Sequence, residues 1–347
     1  MPAVGSGRPT QARHGAGFTQ TRKRTEQSVP GFVRPSKFMD ALEGLVGQDD
    51  LKVKLASVFS QYTLYLNEEG AGRPLVLVAG RSGTGKTYAI EKLIEVAGLP
   101  YSIASSASIS PPSYRGKTML DIFIQHWLDW GVDFGVIFLD EIDKWCHAAI
   151  GKDAESVSMG VRSQAEMLKY VEKDIITFVD ESKDLEMLAG VKFNTKRILF
   201  VCAGAFTGIE KLIRQRLHNN FLPDDEVMQH AIPADYKKYG MIGELCDRIE
   251  TYAWTNPLKV MDIIRILQEQ ERPKWEWRFR KIGCELDLQD GAIGACAQHA
   301  FDQKEAARVA KAMLRRAMDD IFVYASMQEV KRVSVDAPAI QSGKISF

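Results

Sequence analysis

GRSGTGKT, Gly80 to Thr87, is the stretch that decides the fold of this 347-residue chain. It has the spacing G-x-x-x-x-G-K-[ST], in which glycines let successive backbone N–H groups turn toward phosphate oxygens. In that arrangement the lysine reaches the β- and γ-phosphates of a nucleoside triphosphate, and the hydroxyl after it binds Mg²⁺. Lys86 is therefore expected to act in catalysis, and Thr87 to bind Mg²⁺. The predicted nucleotide-binding residues of this loop are Gly80, Ser82, Gly83, Thr84, Gly85, Lys86 and Thr87.

The flanking sequence supplies the strand and the helix that such a loop requires. PLVLVAG (Pro74 to Gly80) is a short continuous apolar run, which is typical of a buried parallel strand. TYAIEKLIEVAG, directly after the lysine, has apolar residues at helical spacing. The helix would direct its positive N-terminal end at the same phosphates.

A second motif follows in VIFLDEIDK, Val136 to Lys144. Four apolar residues predict a buried strand, and Asp140 and Glu141 emerge at its carboxyl end, where open α/β sheets bind ligands. Asp140 is expected to hold Mg²⁺, and Glu141 to polarise the attacking water as a general base. The two motifs together predict Mg²⁺-dependent binding of a nucleoside triphosphate.

Apolar strand-like runs alternate with helical stretches as far as about residue 255, and strand-like runs nearly vanish beyond Pro257. This order predicts an α/β fold, with a parallel-sheet αβα large subdomain followed by a small, mainly helical lid. Residues 1–37 carry seven Lys or Arg side chains against one acidic side chain and little apolar periodicity, which predicts a flexible basic arm. The predicted units are 1–37 (arm), 38–255 (large subdomain), 256–331 (lid) and 332–347 (flexible tail).

Composition excludes several classes of protein. The chain has 45 basic and 45 acidic side chains, so the molecule as a whole is not an electrostatic binder of nucleic acid, and the sequence shows no aromatic-rich basic surface. No apolar run approaches the roughly 20 residues that span a bilayer, so no membrane association is expected. Five cysteines without a C-x-x-C pair predict reduced thiols in the cytoplasm and no zinc.

Several segments, in the correct order from about residue 40 to 325, resemble the AAA+ ATPases of the Clp/HslU branch, and in particular the ClpX-type protein unfoldases. LVGQDDLKVKLA resembles the segment that clasps adenine in that family, which implies that Leu45 and Val46 contact the base. DEIDKW resembles the branch's D-E-I-D-K, and TKRILFVCAGAFTGIEKLI is similar to its sensor-1 strand, where only Cys202 offers a polar side chain. The resemblance implies ATP as the nucleotide.

Two further segments imply arginines that act on the γ-phosphate. YGMIGELCDRIETYAWTNPL resembles the arginine-finger segment, which assigns that role to Arg248, and EAARVAKAMLRRAMDDI resembles the sensor-2 helix, which assigns that role to Arg308, with Lys311 one turn further along. In this family the finger serves the neighbouring subunit's nucleotide, so the resemblance implies a homo-oligomeric ring, most simply a hexamer. Fixed cations that meet the charge of the transition state are the main catalytic device of such enzymes.

SYRG occupies the place of the family's G-Y-V-G pore loop, which implies that Tyr114 and Arg115 grip a protein substrate in the axial pore. An aromatic side chain can grip an unstructured polypeptide through bulk and apolar contact without reading its sequence. Three family features are missing: the N-terminal zinc module, the I-G-F tripeptide that docks on the ClpP peptidase, and a basic second pore loop, where DESKDLEMLAGVK (Asp180 to Lys192) is acidic. These differences predict a protein-unfolding or remodelling motor that works without ClpP.

Two other functions stay open. AAA+ modules also serve as nucleic-acid-associated factors, such as helicase loaders or accessory proteins of transposition and replication, and the basic arm would then supply phosphate contacts. A nucleotide-switched scaffold with little hydrolysis is the third possibility, although an intact Glu141 and Arg248 argue against it.

Overall fold

The structure, a computed structural model, describes residues 28–66, 74–111, 116–149, 154–178, 188, 190–303 and 307–342. The predicted pore-loop residues Tyr114 and Arg115 lie outside the described residues, as do residues 1–27 of the predicted arm and most of the acidic segment that starts at Asp180.

A five-stranded parallel sheet in the order β2-β3-β6-β1-β7 forms the centre of the large subdomain, which confirms the predicted fold class. The apolar runs recognised in the sequence are its three inner strands, β3, β6 and β1, which are buried almost throughout. An antiparallel pair (β4 and β5) and a parallel pair (β8 and β9) lie outside this sheet. The strands are β1 (Leu75–Ala79), β2 (Tyr101–Ser105), β3 (Gly135–Asp140), β4 (Ile175–Thr177), β5 (Lys192–Asn194), β6 (Ile198–Gly204), β7 (Thr251–Trp254), β8 (Glu285–Leu288) and β9 (Arg332–Val335).

Helices cover both faces of the sheet, because successive side chains of each buried strand point to opposite faces. In β1, Leu75 and Leu77 enter one apolar core, whereas Val76 and Val78 enter the other. Among the described helices, none is both long and apolar enough to cross a membrane. The helices are α1 (Pro35–Ala41), α2 (Asp49–Tyr65), α3 (Lys86–Ala97), α4 (Met119–Trp130), α5 (Asp143–Ala149), α6 (Ala154–Glu172), α7 (Ile209–Leu217), α8 (Asp224–Val227), α9 (Pro233–Tyr239), α10 (Gly243–Arg248), α11 (Val260–Ile266), α12 (Arg272–Lys281), α13 (Asp290–Asp302), α14 (Ala307–Met327) and α15 (Ala337–Ser342).

The small subdomain has its own apolar core, built from α11 to α15 and the β8–β9 pair. Its first helix does not stop at Ile266 but continues through a π-helical segment, Leu267–Glu271, into α12. Such segments shift the side chains that follow around the helix axis, and they are frequent at functional sites.

The predicted flexible tail at 332–347 is wrong for residues 332–342. β9 pairs in parallel with β8, and α15 packs on α13. Val333 and Val335 point the same way because the side chains of a strand alternate, and both are buried together with Ala339 and Ile340. Burial of these four apolar side chains holds the segment on the lid.

The predicted flexible arm also ends earlier than residue 37. The Val33 N–H donates to Thr63 Oγ1 at 3.1 Å, and Ser60 Oγ donates to the Val33 carbonyl at 2.7 Å, so the chain before α1 is fixed on α2. Val29 and Val33 pack against the core that α2 and α3 share. These two apolar side chains give the segment a hydrophobic contact with the large subdomain.

The two subdomains meet at a hydrogen-bonded joint. Gln48, only 1% exposed, donates from Nε2 to the Asn256 carbonyl at 2.9 Å and accepts from the Asn256 N–H at 2.8 Å. Next to it, Leu45 packs in a core of the large subdomain, whereas Val46 packs in the core of the lid. Two adjacent residues are therefore packed in different subdomains, one in the large subdomain and one in the lid.

Candidate nucleotide-binding site

A cleft of about 510 Å³ lies between the carboxyl edge of the sheet and the lid. It brings together residues that are more than 260 positions apart in the sequence, from Leu45 to Arg308. The lid contributes Leu258, Ile266 and Gln270 besides its basic residues. The predicted site residues that line the cleft are Leu45, Val46, Ser82, Gly83, Thr84, Gly85, Lys86, Thr87, Asp140, Glu141 and Arg308.

The glycine loop has the backbone that an anion cradle needs. Gly83 and Gly85 have φ angles of 78° and 99°, in the left-handed region that favours glycine. A Cβ on Gly85 would come within 2.4 Å of Leu45 Cδ1, so a side chain there would push Leu45 away from the loop. α3 begins at the next residue, and its free N–H groups therefore face the cradle.

Lys86 lies at the bottom of this loop and is 7% exposed. Its ammonium donates to the carbonyl of Gly80 and to that of Arg81 at 2.9 Å. Burial lowers the pKa of Lys86 to about 8, although the carboxylates of Asp140 and Asp143 oppose the shift. The charge of this lysine is thus poorly compensated, and an anion in the cradle would stabilise it.

Thr87 and Asp140 provide neighbouring oxygens on one wall of the cleft. Thr87 Oγ1 donates to Asp140 Oδ2 at 3.2 Å, and the other carboxylate oxygen of Asp140 accepts from the Glu141 N–H at 2.8 Å. A hydroxyl beside a carboxylate is a donor set that suits Mg²⁺, which prefers hard oxygen ligands. The residues present therefore fit the metal that the sequence predicts.

Glu141 stands at the mouth of the cleft with a φ of 61°, in the left-handed region. Its carboxylate accepts from Ser105 Oγ at 2.7 Å, and its carbonyl accepts from Ser106 Oγ at 2.6 Å. Ser105 was not predicted from the sequence. The only signal for it is its place at the carboxyl end of β2, where it pairs in register with Asp140.

Two basic side chains of the lid line the cleft. Arg308 and Lys311 extend from α14, and Lys311 donates to Gln270 Oε1 at 2.9 Å. Gln270 in turn donates from Nε2 to the Gly44 carbonyl at 2.9 Å. The π-helical segment thus connects the chain at Gly44 with the basic face of α14, a connection that no sequence pattern indicated.

Three predicted residues are not among those that line the cleft. Gly80 precedes the part of the loop that lines it, and its carbonyl accepts from Lys86. Arg248, at the end of α10, is not among the residues that line the cleft; its side chain is 57% exposed and forms an ion pair with Glu172 at 2.7 Å. Cys202 is buried inside β6 and does not line the cleft either. Burial raises the pKa of the Cys202 thiol to about 12, so it stays protonated near neutral pH.

Comparison with known proteins gives two findings. Residues 131–252 match the family described as AAA domain (Cdc48 subfamily). Three relatives carry the name ATP-dependent Clp protease ATP-binding subunit ClpX. That of Bacteroides thetaiotaomicron is 26% identical over 94% of this chain and 84% of its own, that of Borrelia duttonii 26% over 89% and 79%, and that of Azotobacter vinelandii 25% over 93% and 81%.

Proposed function

Because this chain is an AAA+ ATPase similar to ClpX over most of its length, we propose that it works as a ring motor in the cytoplasm. The motor hydrolyses ATP and pulls protein substrates through an axial pore, unfolding or remodelling them without a ClpP-type peptidase. The observation that carries this proposal is the cleft itself, in which the glycine loop, Asp140 and Glu141 meet Arg308 from a second, jointed subdomain.

The predicted site residues of the cleft each have a part in the proposed ATP hydrolysis. Lys86 and the loop N–H groups bind the phosphates, and Leu45 and Val46 contact the base. Thr87 and Asp140 would hold Mg²⁺, which would supply positive charge to the phosphate oxygens. Glu141 accepts a proton from the water that attacks the γ-phosphorus, and Arg308 places a cation beside the same phosphate.

The protonation of Lys86 makes ATP affinity depend on pH. Because burial lowers its pKa to about 8, raising the pH through that value removes the charge from Lys86 in the free protein, whereas bound phosphate favours the charged form. We expect the Kd for ATP to be flat below about pH 7 and about tenfold weaker at pH 9, with a proton taken up on binding. Calorimetry in two buffers of different ionisation enthalpy measures both quantities.

The control for this experiment is Lys86→Arg, because a guanidinium stays protonated throughout that range. The affinity of this variant for ATP is expected to stay constant between about pH 7 and pH 9, whatever its absolute value. A wild-type Kd that is equal at both pH values, with no proton uptake, would contradict a lowered pKa of Lys86 in the free protein.

The described residues on either side of the SYRG segment support the proposed pore loop. Although Tyr114 and Arg115 lie outside the described residues, the chain on either side of them is joined: Ile109 bridges to Lys117, and the Ser110 N–H donates to the Lys117 carbonyl at 2.8 Å. Residues 109, 110 and 117, on either side of the predicted pore loop, are therefore held to one another, as the anchors of a gripping loop would need to be in order to transmit force.

A trapping experiment tests the proposed function. We expect a Glu141→Gln protein, expressed in its native host and held in ATP, to retain a defined protein that mass spectrometry identifies. A Glu141→Gln/Tyr114→Ala protein should lose it, because the gripping ring is gone, whereas Glu141→Gln/Tyr114→Phe should keep it. Equal retention by all three proteins would show that Tyr114 does not grip substrate, and retention of nucleic acid alone would contradict the protein-remodelling function.

A further inference from the structure

α12 of the lid, RPKWEWRFRK, carries five basic side chains and one acidic side chain in ten residues. This local charge is invisible in the balanced composition of the whole chain. The helix also carries two tryptophans, of which Trp275 is buried in the lid core and Trp277 is 58% exposed. The structure therefore has a local basic surface that carries one exposed indole, a feature that the charge balance of the whole chain does not reveal.

The exposed face of α12 forms a continuous stripe. Lys274, Trp277, Arg278 and Lys281 follow the spacing i, i+3, i+4 and i+7, which places them on one side of a helix. All four are exposed, and the Lys281 ammonium lies 5.4 Å from the centre of the Trp277 ring. The stripe thus surrounds one accessible indole with three cations.

The stripe borders a groove of about 440 Å³ between α12 and α14. Glu271, the one acidic residue that lines it, is already bound by Lys274 at 2.9 Å and by Lys311 at 3.3 Å. In the part of the chain that the structure describes, no carboxylate lies within 4 Å of the basic groups of Arg278, Lys281 or Arg308. The basic residues that line the groove are Lys274, Arg278, Arg308, Lys311 and Arg315.

We propose that this groove and stripe bind single-stranded nucleic acid. Phosphates of the strand lie along the cations of the groove, and a base stacks on Trp277, whose ring is accessible on the same face. Cations alone would suit any polyanion, including an acidic protein segment. The exposed indole between Lys274 and Lys281 favours a ligand that alternates negative charge with flat aromatic groups, as a single strand does.

This binding function is additional to ATP-driven protein remodelling and does not depend on it. Arg308 and Lys311 line both the groove and the nucleotide-binding cleft. The variants that test the groove must therefore avoid those two residues. Suitable positions for substitution are Trp277, Arg278 and Lys281, because none of them lines the nucleotide-binding cleft.

The experiment measures fluorescence anisotropy of a labelled oligo-dT of about 20 nucleotides with the full chain, at about 100 mM salt and above. We expect Trp277→Ala to raise the Kd about tenfold, through loss of one stacked base, and Trp277→Phe to raise it less. Arg278→Gln/Lys281→Gln should raise the Kd about tenfold as well. It should also reduce the slope of log affinity against log salt by about 1.4, or about 0.7 for each lost phosphate contact.

The matched control is Lys211→Gln/Lys238→Gln, which removes the same charge from exposed positions on the large subdomain. We expect this control to stay within a factor of about two, because neither residue belongs to the groove. If the control loses as much affinity for oligo-dT as the groove variants do, the net charge of the protein explains the effect, and the proposal is overturned. Unchanged affinity in the Trp277 and Arg278→Gln/Lys281→Gln variants would overturn it too.

Two further measurements on the same proteins separate this proposal from the proposed motor function. ATP turnover and retention of a trapped protein should persist in the groove variants while oligo-dT binding is lost, which supports the groove independently of the motor. The mass of the oligomer in solution tests whether a second copy of the chain, rather than nucleic acid, occupies the groove. If the groove variants lose oligo-dT binding only because they no longer assemble, the groove is a contact for a second copy of the chain, and the proposal fails.

Discussion

Glu141→Gln is expected to lower the kcat for ATP hydrolysis about a thousandfold while changing the Kd for ATP by no more than about threefold. The amide has nearly the same shape as the carboxylate, and its oxygen can still accept the hydrogen bond from Ser105 that the structure shows at 2.7 Å. It cannot take a proton from water, so only the step that needs a base is lost. Steady-state phosphate release and binding of a fluorescent ATP analogue measure the two quantities.

A matched control for this variant is Glu91→Gln. Glu91 lies exposed on α3 of the same subdomain, outside the cleft, so neutralising it changes the net charge equally. Its turnover should equal that of the wild type. If Glu141→Gln retains turnover within about tenfold of the wild type, which is less than one general base contributes, Glu141 is not the base.

Arg248→Ala is expected to reduce turnover by about 10³-fold or more and to leave the ATP affinity of each subunit unchanged. The proposed arginine-finger role predicts this result, because Arg248 would act on the nucleotide of the neighbouring subunit. In agreement with that role, its side chain is 57% exposed and lies outside the cleft of its own chain. Mixing Arg248→Ala with Glu141→Gln protein should restore part of the turnover. In mixed rings, Glu141→Gln subunits supply the missing arginine to active sites that still have their base.

The ion pair of Arg248 with Glu172 provides the sharpest control. If Arg248 acted only by holding Glu172, then Glu172→Ala would reproduce the loss of turnover. An exposed pair of this kind contributes less than about 1 kcal/mol, so we expect Glu172→Ala to remain active. Equal loss in the two variants, or no recovery on mixing, would contradict an arginine that acts across the interface.

Most of the cleft could be predicted from sequence because its residues sit in short motifs with a direct physical cause. The glycine loop needs backbone freedom, and Asp140 and Glu141 follow an apolar strand; both signals are contained within ten residues. The three inner strands, β1, β3 and β6, follow from their continuous apolar runs, whereas β2 and β7, which are only partly buried, were not predicted. The order of strands in the sheet was not predicted either, because pairing between distant segments leaves no local signal.

The features that sequence missed depend on tertiary context. Ser105 meets Glu141 only because β2 and β3 are neighbours in register. Gln270 faces the cleft because a π-helical segment shifts the helix, and periodicity analysis assumes that no such shift occurs. The basic stripe on α12 was overlooked for a different reason: charge was summed over the whole chain, whereas a count along one helix face would have found it.

The joint at Gln48 gives the protein a mechanical property. Leu45 and Val46 would touch the same base, yet one is fixed to the large subdomain and the other to the lid. Nucleotide binding and closure of the joint are then coupled, and such coupling is reciprocal. If bound nucleotide stabilises the closed joint, a force that opens the joint weakens nucleotide binding. In a working ring, a substrate that resists extraction would therefore change the rate at which spent nucleotide leaves. The mechanical resistance of the protein substrate would then affect the rate of ATP turnover.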